Sequence, residues 1–119
     1  MPRIEGFKFG SIVIDGKKYG RDMLLFPDGT VIERKGGFWK FGSHVIKKGE
    51  IDELIGVKPD TVVIGTGTRT KAKLASDAKL ALREAKVELI ALPSQEATQR
   101  FDELVGEGKR VSALIHITC

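Results

Sequence analysis

Val62-Val63-Ile64-Gly65-Thr66-Gly67-Thr68 is the stretch on which the fold turns. Three β-branched apolar residues in succession suit a strand buried on both faces, as inside a parallel sheet. The run then stops on two glycines spaced by one residue. The Gly65-Thr66-Gly67 turn leaves main-chain N–H groups uncovered by side chains, where an anion or a polar ligand head could approach. Downstream, Leu74, Ala78, Ala81, Leu82 and Ala85 recur at helical spacing, with Ser76 as the expected N-cap. Val87–Leu92 reads as the next strand. Pro93-Ser94 opens a second helix with the stripe Ala97, Phe101, Leu104, Val105 and Gly106 at its end. Val111 to Thr118 is the final strand. Two βαβ crossovers predict three parallel strands joined by right-handed connections, with the glycine turn on a ligand-facing edge of an α/β sheet.

The half of the chain before residue 60 has a different texture. Phe7-Lys8-Phe9 and Ser11-Ile12-Val13-Ile14 are strand-like, and Asp15-Gly16 is a two-residue hairpin turn because both residues tolerate positive φ. Met23-Leu24-Leu25-Phe26 and Thr30-Val31-Ile32-Glu33 flank Pro27-Asp28-Gly29, a second hairpin signal. A glycine-bracketed loop from Gly36 to Gly42 carries Phe38, Trp39 and Phe41. Glu50 to Ile55 is expected to form a short helix ended by Gly56. The expectation is one domain over residues 1–119, with a β-hairpin part to about residue 45 and a βαβαβ part over about 60–119.

At 119 residues the chain is long enough to bury a core without disulfides or metal. Nothing approaches the roughly 18 consecutive apolar residues of a membrane span. The opening Met1-Pro2-Arg3-Ile4-Glu5 has no apolar signal-peptide core, so a cytoplasmic location with no membrane contact is expected. The single cysteine, Cys119, and two histidines, His44 and His116, are too few soft ligands for a structural zinc site. No metal and no cofactor are expected. The net charge of +4 is spread along the chain and is weak for a nucleic-acid module.

Each chemical motif has a plainer structural counterpart. Gly65-Thr66-Gly67 departs from the dinucleotide fingerprint, whose third glycine position is Thr70. The next strand ends in Ala91-Leu92 rather than an acidic residue. A small anion or polar-ligand site at Gly65, Thr66, Gly67, Thr68 and Arg69 competes with a tight turn that needs glycine only for its angles. Alternation in the last strand puts Ser112, Leu114, His116 and Thr118 on one face and Val111, Ala113, Ile115 and Ile117 on the other. His116 is the one weak candidate for acid–base work. No matching nucleophile and orienting carboxylate stand out, and a histidine hydrogen-bonded within a sheet is the alternative. Cys119 reads as a free or buried thiol, since an adjacent carboxylate would raise its pKa. Phe38-Trp39-Lys40-Phe41 with Arg34 and Lys35 interleaves aromatics and cations as single-strand binders do. Such a cluster more often forms an interface, so a protein partner or self-association is expected ahead of nucleic acid.

Taken in order, the tryptophan loop with its nearby histidine, the strand ending in Gly65-Thr66-Gly67, and the helix opening at Ser94-Gln95-Glu96-Ala97 resemble one family. The Glu107-Gly108-Lys109-Arg110-Val111 approach and the ending Leu114-Ile115-His116-Ile117-Thr118-Cys119 belong to the same resemblance. It is a small domain-of-unknown-function family of bacteria and archaea, whose animal members include mitochondrial complex I assembly factor 3 and the adipogenesis-associated domain protein. The resemblance covers roughly Phe7 to Cys119. It implies three layers, with helices and a small β layer around a central mixed, largely parallel sheet. It implies no reaction, and a mitochondrial assembly role is not carried over to a chain that shows no targeting segment. The reading is a binding or assembly module with a ligand-facing Gly65–Arg69 turn and a Trp39 contact loop. A small enzyme using His116 is the alternative, and nucleic-acid binding the weaker one.

Overall fold

In the computed structural model, residues 2–34 and 45–119 are described. The first segment builds two antiparallel units. Strands β1 (Ile4–Lys8), β2 (Ser11–Ile14) and β3 (Lys17–Tyr19) form a three-stranded sheet in that order. Its second turn is Asp15-Gly16, with φ of 50° and 81°, the pair of left-handed residues that a two-residue hairpin of native twist requires. Strands β4 (Met23–Leu25) and β5 (Val31–Glu33) form the second hairpin, closed around Gly29 by the Phe26 N–H on the Thr30 carbonyl.

The second segment alternates strand and helix: β6 (Val45–Ile46), α1 (Lys48–Ile55), β7 (Thr61–Gly65), β8 (Lys73–Leu74), α2 (Ser76–Glu84), β9 (Glu88–Leu92), α3 (Ser94–Gly106) and β10 (Val111–Ile115). The central sheet has the order β5-β4-β10-β7-β9. β10 runs parallel to β7 and β7 parallel to β9, as the crossover spacing predicts. β4 joins β10 antiparallel, which makes the sheet mixed. Because β9 leads back past β7 to β10, a constant hand of crossover requires α2 and α3 on opposite faces. They lie there. Ala78, Ala81 and Leu82 of α2 pack with Val62, Ile64 and Leu114 and with Ile51 and Leu54 of α1. Ala97, Phe101 and Leu104 of α3 pack on the other face with Val63, Ala113 and Ile115 and with Ile4, Ile12 and Ile14 of the small sheet. The architecture is therefore three layers, with two cores either side of strands that are apolar on both faces.

Several boundaries depart from the sequence reading. Helix α1 begins at Lys48, two residues before Glu50, because the Glu50 carboxylate reaches back to the Lys47 N–H at 3.0 Å and closes the first turn. Gly56 after it has φ −61°, so the helix end makes no use of glycine's left-handed freedom. The cap of α2 is Ala75, not Ser76, and no side chain caps that helix. The short parallel pair β6–β8 was invisible in a two-residue pattern. No helix among the described residues is long and apolar enough to cross a membrane.

Candidate functional site

The C-terminal ends of β7 and β10 lie side by side, and the glycine turn and His116 meet there. Gly65 closes β7 opposite Ile115, and its carbonyl accepts the His116 N–H at 3.0 Å. The chain then turns through Thr66 and Gly67, while Ile117, Thr118 and Cys119 continue past β10 across the turn. The turn's main-chain donors are taken in sequence. Thr66 N–H goes to the Leu92 carbonyl at 2.8 Å and Gly67 N–H to the Ser94 hydroxyl at 2.8 Å. Thr68 N–H goes to the Thr118 carbonyl at 2.7 Å, and Arg69 and Lys71 both donate to the Cys119 carbonyl oxygen. The Ser94 hydroxyl in turn donates to the His116 carbonyl. A buried serine at the start of α3 thus ties both strand ends together.

The two glycines are required by this crossing. A Cβ at Gly65 would stand 2.8 Å from the Ser94 Oγ and 3.2 Å from Ile115 Cδ1. Gly67 has φ +98°, and a Cβ there would overlap the Cys119 carbonyl and come 2.8 Å from His116 Cδ2. What remains open at the turn is side chain. Thr68 and Arg69 are exposed, and Arg69 has no ion pair among the described residues.

His116 is fully buried and has the orienting carboxylate that the sequence did not reveal. Its Nδ1 lies 2.7 Å from Asp22 Oδ2, and its Nε2 lies 3.3 Å from the Thr118 hydroxyl. With a proton on Nδ1 the ring donates to Asp22 Oδ2, and Nε2 faces the Thr118 hydroxyl. Asp22 precedes β4 and Arg34 follows β5, so the hairpin register sets them opposite each other. The Arg34 N–H donates to the Asp22 carbonyl at 2.8 Å. Arg34 also spans Asp22 Oδ2 at 3.0 Å and both Glu50 carboxylate oxygens, and donates to the Val45 carbonyl at 2.9 Å. Burial alone would raise the Asp22 carboxyl. His116, the Ile117 N–H and Arg34 outweigh it and hold the group below the ordinary aspartate value. Burial alone would likewise lower Arg34, and the Glu50 and Asp22 carboxylates push it up instead. Among the described residues no buried side-chain polar atom lacks a partner, and no group of three metal-ligating side chains is assembled.

Of the residues expected from sequence, Gly65, Thr66, Gly67 and His116 are brought into one locale, with Thr68 and Arg69 at its surface. Phe38, Trp39, Phe41 and His44 lie outside the described residues. Asp22, Glu50 and Ser94 were missed, and Arg34, read from the sequence as a cation of the aromatic loop, is instead buried between Asp22 and Glu50. Asp22 and Arg34 bracket a hairpin recognised in the sequence, and extending its register by one pair would have found them.

The sequence profile of proteins of unknown function DUF498/DUF598 matches residues 4–116. The chain belongs to this family. Among solved structures of the same fold, the conserved hypothetical protein PH1505 of Pyrococcus horikoshii OT3 is 30% identical. It covers 98% of this chain and 99% of its own, with a TM-score of 0.85. MT938 is 29% identical over the whole of both chains, with a TM-score of 0.82. A Mth938-like domain protein of Bordetella pertussis is 16% identical over 97% of this chain and 85% of its own. At a TM-score of 0.76 it shares the fold alone. The DUF498/DUF598 membership agrees with the resemblance read from the glycine pair and the His116–Cys119 ending, and with the three layers it implied.

Proposed function

We propose that this protein is a binding or assembly module whose Gly65–Arg69 turn receives a polar or anionic ligand head. One observation carries the reading, a division of roles at the turn. Its main-chain donors are consumed by Leu92, Ser94, Thr118 and Cys119, whereas the Thr68 and Arg69 side chains face solvent. Gly65, Thr66 and Gly67 frame the site, and Thr68 and Arg69 make the contact. The main-chain bonds beneath them set the turn before a ligand docks, which leaves only the two side chains to be ordered. A charge-assisted contact from Arg69 is worth about 1.5–3 kcal/mol, a tenfold or larger effect on affinity. Titration calorimetry with inorganic phosphate tests this. Binding by the parent, weakened at least tenfold in Arg69→Ala and weakened also in Thr68→Val, is the expected result. An absence of binding by the parent protein overturns it.

A second reading, a small enzyme, is favoured by the hydrogen-bonded series Asp22–His116–Thr118, the order of a carboxylate, base and hydroxyl nucleophile. It ranks lower because the imidazole has no exposed surface to offer a substrate. It requires p-nitrophenyl acetate hydrolysis above background that is lost in Thr118→Val. A parent rate equal to that variant's removes it.

A further inference from the structure

The three-stranded sheet and the five-stranded sheet end in edges that are guarded unequally. At one edge β3 carries Lys17 and Lys18, both exposed, and at another β5 carries the exposed Glu33. Charged side chains of this kind keep an edge strand from pairing with foreign strands. β9 is different. Among the described residues it is bonded on one side only, to β7, and it carries no lysine, proline or bulge within Glu88–Leu92.

The phase of its ladder is fixed at both ends. Glu88 donates to the Asp60 carbonyl, and the Leu92 carbonyl accepts from Thr66. Glu88, Ile90 and Leu92 therefore turn their main chain toward β7, and Leu89 and Ala91 turn theirs outward. Those two residues are also the exposed apolar ones, Leu89 at 38%. Glu88, the one charge in the strand and exposed as Glu33 is, stands at its first residue and accepts from the Thr61 hydroxyl of β7 at 3.2 Å, so the outward-bonding Leu89 and Ala91 carry no charge between them.

We propose that two copies of this chain pair antiparallel through β9, about a twofold axis at Ile90, to make one continuous ten-stranded sheet. In that register Leu89 lies opposite Ala91 of the second copy and exchanges both main-chain hydrogen bonds with it, and the symmetry repeats the pair. Glu88 falls opposite Leu92, so the like charges do not meet. Lys86 is brought toward the first turn of α3 in the second copy, where Glu96 stands. This self-complementarity of bonds, apolar contact and charge selects a second copy over an unrelated strand. An interface built on one short strand is small, so association in the micromolar range is expected.

The pairing rests on the reading of this protein as an assembly module but not on the ligand turn. Sedimentation equilibrium up to high-micromolar concentration is the test, on the parent, Leu89→Lys and Ala91→Pro. The Ala91 N–H points outward, so proline there removes no bond to β7. A parent dimer weakened at least tenfold in both variants, with thermal midpoints kept near the parent's, is expected. A monomeric parent, or a dimer indifferent to both changes, overturns the pairing. Phosphate titration of the same samples separates the two ideas. A monomer that binds phosphate sinks only the pairing, and a β9-dependent dimer that takes no phosphate supports the pairing and sinks only the ligand turn.

Discussion

Gly67 answers two demands, a left-handed backbone angle and the passage of Cys119 where a Cβ would stand. Alanine at a positive φ costs roughly 1 kcal/mol by itself. Here the overlap with the Cys119 carbonyl adds to it, and the neighbour is main chain that cannot swing aside. Gly67→Ala should therefore lose about 2–4 kcal/mol in urea unfolding, in the range of overpacked interiors. A loss under about 1 kcal/mol would mean that the Thr118–Cys119 segment yields easily. The sequence displayed these glycines clearly but left ligand approach and close packing as equal explanations. What decides the packing is a segment some fifty residues away, and no local pattern reports it. His116 shows the same limit. Its type was legible, but β10 stops at Ile115 rather than running through it to Thr118, and its carboxylate partner, Asp22, is separated from it by 94 residues.

Among the elements, the best-read parts of the sequence were those with a long apolar period. α3 was expected from Ser94 to Gly106 and runs over those residues. β7, β9 and β10 are parallel as the crossovers require, because continuous apolar runs leave a strand no other environment. The failures cluster at element ends, where one hydrogen bond decides the boundary. Ser76 has the chemistry of a cap, yet Ala75 occupies the cap position, with φ −63° and ψ 156°, because its N–H is anchored to the Ile46 carbonyl at 3.0 Å. The first turn of α2 is thus left without a side-chain acceptor. Ala75→Ser should supply one and raise stability by about 1 kcal/mol, read as a higher thermal midpoint with an unchanged denaturant m-value. An equal or lower midpoint would show that packing around residue 75 outweighs the cap.

Over the whole molecule the buried charges make stability depend on acid. Asp22 titrates below its unfolded value of about 3.9, so its contribution is fully present above that pH and is lost as pH falls through the folded value. Asp102 has the opposite sign. Burial raises its folded value, and the stability it contributes is present below the unfolded value and fades as pH rises through the folded one. Asp22→Asn should cost about 3 kcal/mol at neutral pH, because Arg34 and His116 lose a buried anion. It should also flatten the acid limb of an unfolding series from about pH 5 down to pH 2. A limb as steep as the parent's would assign acid lability to other carboxylates. A different consequence lies in the position of β10, the last strand of the described fold and the middle one of its sheet. During synthesis on the ribosome, β4–β5 and β7–β9 emerge as two ribbons with no common neighbour. The strand that joins them leaves the tunnel after all the others. Until residues 111–115 arrive, β4 and β7 each lack the neighbour that joins them, and the sheet cannot be completed. A chain ending at residue 110 should show no cooperative thermal transition, and adding a synthetic peptide of residues 111–119 should restore one.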